Sequence, residues 1–256
     1  MAEQAKILEA GEKRYASSRW QTCSLCEQAY HGVVACALGW ACWKTYVGRP
    51  EADVDQKAAT TDWAMGHLVN GLLAAGRFED ALSVQEAKLS TLRRLGISEQ
   101  LILLDQNNLA TTYQYLGRDE QALCLRRDVY SGQLKLDEES HETLTAANNY
   151  AVTLACQDRF EEAKSLYRKS IPVAQRVLGK SNDLTLRLRS TYAIALRDDL
   201  AATLDDLREA VTTLEDAERI ARRVFGSEHP FSGEVGRDLR KARAVLRARE
   251  MSTGSA

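Results

Sequence analysis

Cys23, Cys26, His31 and Cys36 stand in a Cys-x2-Cys-x4-His-x4-Cys spacing, and Cys42 follows shortly after. This pattern places three thiolates and an imidazole within reach of one point. Those are the soft and borderline donors that a tetrahedral zinc ion takes. Clustered cysteines in a chain of a reducing compartment suggest metal more readily than disulfides. The candidate ligands are therefore Cys23, Cys26, His31 and Cys36, with Cys42 able to replace Cys36. A second reading competes with the first. Trp20, Cys23, Tyr30, Val34, Ala37 and Ala41 recur at nearly helical spacing, and an unbridged cysteine is a common buried small hydrophobe. The segment would then be a helix, with Trp40 and Trp43 packing it as a cap on the elements that follow.

Other chemistry is sparse. Gly179-Lys180-Ser181 ends like a phosphate-binding loop, but Ala174 occupies the position of the upstream glycine and the tripeptide closes a helix. His67, His141 and His229 are scattered, the last two at equivalent turns where they are expected to cap helices. No Gly-x-Ser-x-Gly, His-Glu-x-x-His or dinucleotide-binding glycine pattern is present. The acidic residues fall on the outer faces of expected helices, so no enzymatic activity is expected. With 34 basic and 36 acidic side chains, the net charge of -2 gives no global attraction to nucleic acid or to an anionic membrane. No apolar run approaches the roughly 18 residues needed to cross a bilayer. Residues Met1 to Lys6 lack the layout of a secretory signal, so a soluble, cytoplasmic protein is expected.

The elements around these residues are set by repetition. Gly76-Arg77-Phe78-Glu79-Asp80-Ala81, Gly117-Arg118-Asp119-Glu120-Gln121-Ala122 and Asp158-Arg159-Phe160-Glu161-Glu162-Ala163 recur every 41 residues. Upstream of the last two, Asn107-Asn108-Leu109-Ala110 aligns with Asn148-Asn149-Tyr150-Ala151. A stretched fourth copy shows Tyr192-Ala193 and Glu209-Ala210, with about five residues inserted near Arg197-Asp198-Asp199-Leu200. A fixed period of this size means paired helices that must stack, because one hairpin cannot bury both faces. Alanines mark the close approaches, and large residues such as Leu109, Tyr113, Leu125, Leu154 and Leu166 fill the space around them. Three segments follow: residues 1–50, a polar helix over 3–18 plus the Cys/Trp-rich segment; residues 51–226, about four repeats, opened by Pro50 at a helix start; and residues 227–256, a capping helix and tail. The basic run from Arg237 to Arg249 carries an apolar stripe of Leu239, Ala242 and Leu246, suited to covering the last repeat.

The patterning resembles the tetratricopeptide repeat, whose typical period is about 34 residues. The longer period here looks like the kinesin light chain type. His141, Thr143, Asn148-Asn149-Tyr150-Ala151, Arg159-Phe160-Glu161-Glu162-Ala163, Leu166-Tyr167 and Leu178-Gly179 carry the likeness, and Phe225-Gly226 with His229-Pro230 repeats its junction. The resemblance covers residues 60–230 and implies an all-α, right-handed superhelix of stacked antiparallel helical hairpins, with N- and C-terminal capping helices. It further implies a non-enzymatic scaffold holding a protein or peptide ligand in a groove lined by the first helices, with no nucleic acid and no membrane among its partners. The positions that match are Asn107 and Asn148, with Thr111, Gln114, Val152, Arg189 and Arg197 nearby and Asn70 in the first repeat. No cofactor is implied. The Cys/His spacing is separately similar to that of a zinc knuckle, although Tyr30 stands where knuckles place glycine. The alternative function is thus a zinc-containing adaptor that recognises its partner through this segment.

Overall fold

The computed structural model describes residues 20–23, 26–46 and 54–254. The helix expected over residues 3–18 and the helix start at Pro50 lie outside the described residues. Among the described ones, the chain forms ten helices: α1 (Gly32–Tyr46), α2 (Val54–Ala74), α3 (Phe78–Arg94), α4 (Glu99–Tyr115), α5 (Asp119–Leu136), α6 (His141–Cys156), α7 (Phe160–Val177), α8 (Asp183–Asp198), α9 (Leu204–Phe225) and α10 (Pro230–Gly254). The chain divides into two units, Met1–Leu125 and Arg126–Ala256.

The repeated motif is the turn inside each hairpin. Gly76, Gly117 and Asp158 all adopt the left-handed conformation, at φ 71°, 68° and 57°. At each, the next residue's N–H reaches back to a helix carbonyl: Arg77 to Leu72 at 2.9 Å, Arg118 to Tyr113 at 2.8 Å and Arg159 to Leu154 at 3.0 Å. This closure satisfies carbonyls that the ending helix leaves open, and glycine adopts the required conformation without steric cost. Asp158 adopts it at a cost.

The alanines do what their repetition implies. Ala81, Ala110, Ala122, Ala151, Ala163, Ala193 and Ala210 are all fully buried, so the backbones beside them approach closely. In unit Met1–Leu125, α3 packs on both α2 and α4. In unit Arg126–Ala256, α6 to α10 pack in succession, and α6 also touches α8, as α8 touches α10. In that unit α6 and α8 each therefore meet their own partner and the first helix of the next repeat, the packing expected of stacked hairpins.

The fourth copy shows where its extra residues go. The turn between α6 and α7 takes three residues, whereas Asp199–Thr203 separates α8 from α9. Two additional residues lengthen this turn, and the other three extend α9 upstream by most of a helical turn. Thr203 and Asp206 cap that extension reciprocally, each side chain bonding the other's backbone N–H. Two further helix starts differ from each other. Ser140, not His141, caps α6 by accepting from Thr143 N, whereas His229 does cap α10, its Nδ1 accepting from Phe231 N at 3.3 Å.

Ahead of the repeats, Thr22 and Ala29 form an antiparallel bridge pair, and Cys23 N donates to Gln28 O at 2.9 Å. Helix α1 then packs on α2 with almost no separation. A methyl group at Gly71 would lie 2.6 Å from the Ala35 carbonyl oxygen, and one at Gly39 would lie 2.9 Å from that of His67. Glycine is needed at both for the helices to meet at this distance.

Candidate interaction groove

On the unit Met1–Leu125, helices α2, α3 and α4 enclose an open cavity of about 220 Å³. Asn70 and Leu73 from α2, and Asn108 and Thr111 from α4, form its walls; Gln85 and Lys88 from α3 form its floor. The floor exists because α3 breaks its own apolar pattern. Ala81, Gln85, Lys88 and Leu92 all face inward, but the middle two are polar.

Burial then dictates partners. Lys88 is 8% exposed and donates to Asp105 at 2.7 Å, with Asp62 at 2.9 Å on its other side. Burial pushes the Asp105 carboxyl above its ordinary value, against the opposing pull of the Lys88 ammonium. Gln85 is 5% exposed, and its Oε1 is buried without a hydrogen-bond partner. An orphaned buried acceptor is uncommon in folded proteins and calls for an explanation.

Helix α4 adds an exposed apolar stripe. Leu101, Leu104 and Tyr115 are 46%, 53% and 59% exposed. With Asn108 and Thr111 between them, they recur at three- and four-residue intervals along one face. Tyr115 is fixed by stacking on Phe78, ring centres 4.9 Å apart.

In the unit Arg126–Ala256 the corresponding polar groups are engaged internally. Thr191 Oγ1 lies 2.8 Å from Asn148 Oδ1. Arg189 donates to Asp216 at 2.5 Å, and Arg197 to Asp198 at 2.7 Å and Asp238 at 3.2 Å. Val152 is half-buried on α6. A cavity of about 240 Å³ lies between α5, α6 and α7, but Arg176 and Glu139 on its rim bind each other through two hydrogen bonds.

Of the positions named from sequence, Asn70 and Thr111 meet in the first groove. Asn107 and Gln114 are half-buried on α4 and do not line it, while Asn108 does. Gln85 and Lys88 are not among those positions, because the resemblance assigns the groove to the first helices; two polar residues on the apolar stripe of α3 are the available signal.

The Cys/His segment does not converge. Cys23 is half-buried, while Cys26 and His31 are exposed. Cys36 packs on Leu68, Leu72 and Ala81, and Cys42 on Trp20, Leu38 and Ala64. Among the described residues, no three His, Cys, Asp or Glu side chains gather closely enough to hold a metal ion. Residues 32–46 form a helix on the first repeat, with Trp43 packed against both apolar clusters. On α2, His67 is buried, with the Trp63 ring edge-on at 4.3 Å and Gln21 Nε2 donating to its Nδ1 at 3.2 Å. Burial lowers its pKa to about 4. Among the described residues, no helix is long and apolar enough to cross a membrane.

Comparison with known proteins agrees with this architecture. Residues 142–201 match the family model for the tetratricopeptide repeat. Among solved structures, BtubC (BKLC) from P. vanneervenii superposes with a TM-score of 0.65 at 17% identity, over 86% of this chain and 91% of its own. A kinesin light chain-like protein of Podosopora anserina, with nearly identical tetratricopeptide-like repeats, gives 0.61 at 19% identity over 80% and 93%. RapI in its apo form gives 0.54 at 15% identity over 84% and 78%. No curated protein sequence matches the chain. Residues 142–201 therefore carry the tetratricopeptide repeat pattern, and the stacked helical hairpins share their fold with kinesin light chain-like repeat proteins.

Proposed function

We propose that the chain is a non-enzymatic scaffold that binds a segment of a partner protein along the groove between α2, α3 and α4. One observation carries the reading. An open cavity walled by Asn70, Asn108 and Thr111 runs beside the exposed Leu101, Leu104 and Tyr115 on α4. Asparagine side chains can bond a peptide backbone whatever its sequence, and an adjoining apolar stripe supplies contact area. A large exposed apolar stripe beside convergent polar groups is a usual mark of an interaction site. The fold supports the same reading, since arrays of helical hairpins mainly present surfaces to other proteins. Asn107 and Gln114 flank the groove on the same helix and are proposed as secondary contacts.

A photo-crosslinking residue placed at position 70 or 108 tests this, with position 124 on α5 as the exposed control. Crosslinked segments of a common partner, mapped by mass spectrometry, are expected at 70 and 108 and not at 124. Equal labelling at all three would remove the groove from consideration.

A further inference from the structure

We infer that this groove selects a cationic side chain, a lysine or arginine carried by the bound segment; the inference rests on the groove reading above. Two independent features point the same way. The first is Gln85 on the floor of the cavity, whose Oε1 is buried without a donor. Turning the amide toward the cavity would present this acceptor to an arriving N–H and recover the free energy lost by leaving it unmade. The second is the local charge. Lys88 is held between Asp105 on the floor and Asp62 beside it, so two carboxylates face one ammonium and the three groups together carry a net negative charge.

These features exclude the competing ligands. An acidic side chain would meet the Asp105 carboxylate, and Lys88 is already engaged by Asp105 and Asp62. An apolar side chain would leave Gln85 Oε1 unpaired. A lysine or arginine satisfies both groups, and its aliphatic stem can lie along Val69 and Leu73 while the charged head reaches the floor.

The test begins with a random peptide library displayed on phage and selected on the immobilised full chain. Selected peptides are synthesised, and affinities follow from fluorescence anisotropy. The expected result is a shared lysine or arginine position whose replacement by norleucine weakens binding roughly tenfold or more, as a lost bond to a charged group does. Asp105→Asn and Gln85→Met should weaken the basic peptide while leaving its norleucine version nearly unchanged. Lys88→Met should act in the opposite direction and tighten the basic peptide. The norleucine exchange alters only the peptide, so it decides the matter even if a protein variant fails to fold. Selected peptides that depend on Asn70 and Asn108 yet share no basic residue would overturn the inference and leave the groove reading intact. Peptides indifferent to Asn70→Ala and Asn108→Ala, or no selected peptide at all, would overturn both.

Discussion

Lys88 and Lys164 are both buried lysines flanked by two carboxylates, yet they sit in different company. Lys164 pairs with Asp199 at 2.8 Å and with Glu161, and Asp199 uses its other oxygen to accept from Ala201 N at 2.8 Å. Every group there is occupied, and the arrangement pins the lengthened turn between α8 and α9. Lys88 has comparable ion pairs, but beside it lie an open cavity and an acceptor with no donor. A buried ion pair therefore says little about function by itself; the unmet group next to it does. One unit uses the motif to close its own backbone, and the other leaves it incomplete on an exposed face.

Breaking the closed version should have the largest effect. Asp199→Ala leaves the buried Lys164 ammonium with the exposed Glu161 carboxylate and removes the acceptor of Ala201 N–H, and a loss of about 4 kcal/mol in denaturant unfolding is expected, with peptide affinity in the groove unchanged. A loss below about 1 kcal/mol would mean the pair is solvated and the contrast is false.

A second effect separates the units by pH. His67 belongs to Met1–Leu125, and its pKa falls from 6.5 to about 4 on burial. Below the unfolded value the unfolded chain takes up a proton that the folded imidazole refuses, so stability falls as pH drops through this window. The total is about 3 kcal/mol. His67→Leu should flatten the upper part of that profile, above the range where carboxylates titrate. An unchanged slope would place the titrating group elsewhere.

Gln85→Met sharpens the comparison further. Removing an orphaned acceptor should raise stability by about 1 kcal/mol even as it weakens binding, a sign opposite to that at Asp199. Thermal unfolding decides the sign. The smallest effect concerns the turns: Asp158→Gly should stabilise by about 0.5–1 kcal/mol, matching the residue that serves at Gly76 and Gly117.

The hairpins could be read in the sequence because close packing and turn chemistry each demand a particular residue. Alanine at 110 and 151, and glycine at 76 and 117, leave a periodic trace that no other arrangement produces. The groove was harder to read. Asn107 and Asn108 are adjacent, and which of them faces outward depends on a rotation of α4 by about 100° per residue, which the pattern does not fix. The floor depends on side chains of α3 reaching between two other helices, a relation with no fixed spacing in sequence. Spacing along the chain likewise does not say which cysteine a helix turns inward: within residues 32–46 Cys36 lies on the inner face, against Leu68, Leu72 and Ala81.

The contact of α1 with α2 also determines which substitutions this region can tolerate. Gly39 and Gly71 each face the other helix's backbone, and backbone cannot rotate aside as a side chain can. A single added methyl at either position must therefore move a whole helix. Cys36 and Cys42, by contrast, pack mainly on side chains, where another small residue such as alanine can be accommodated. In a saturation mutagenesis screen, the two glycines should accept almost nothing while Cys36 and Cys42 accept other small residues. The most invariant residues of the region would then be the ones with no side chain at all.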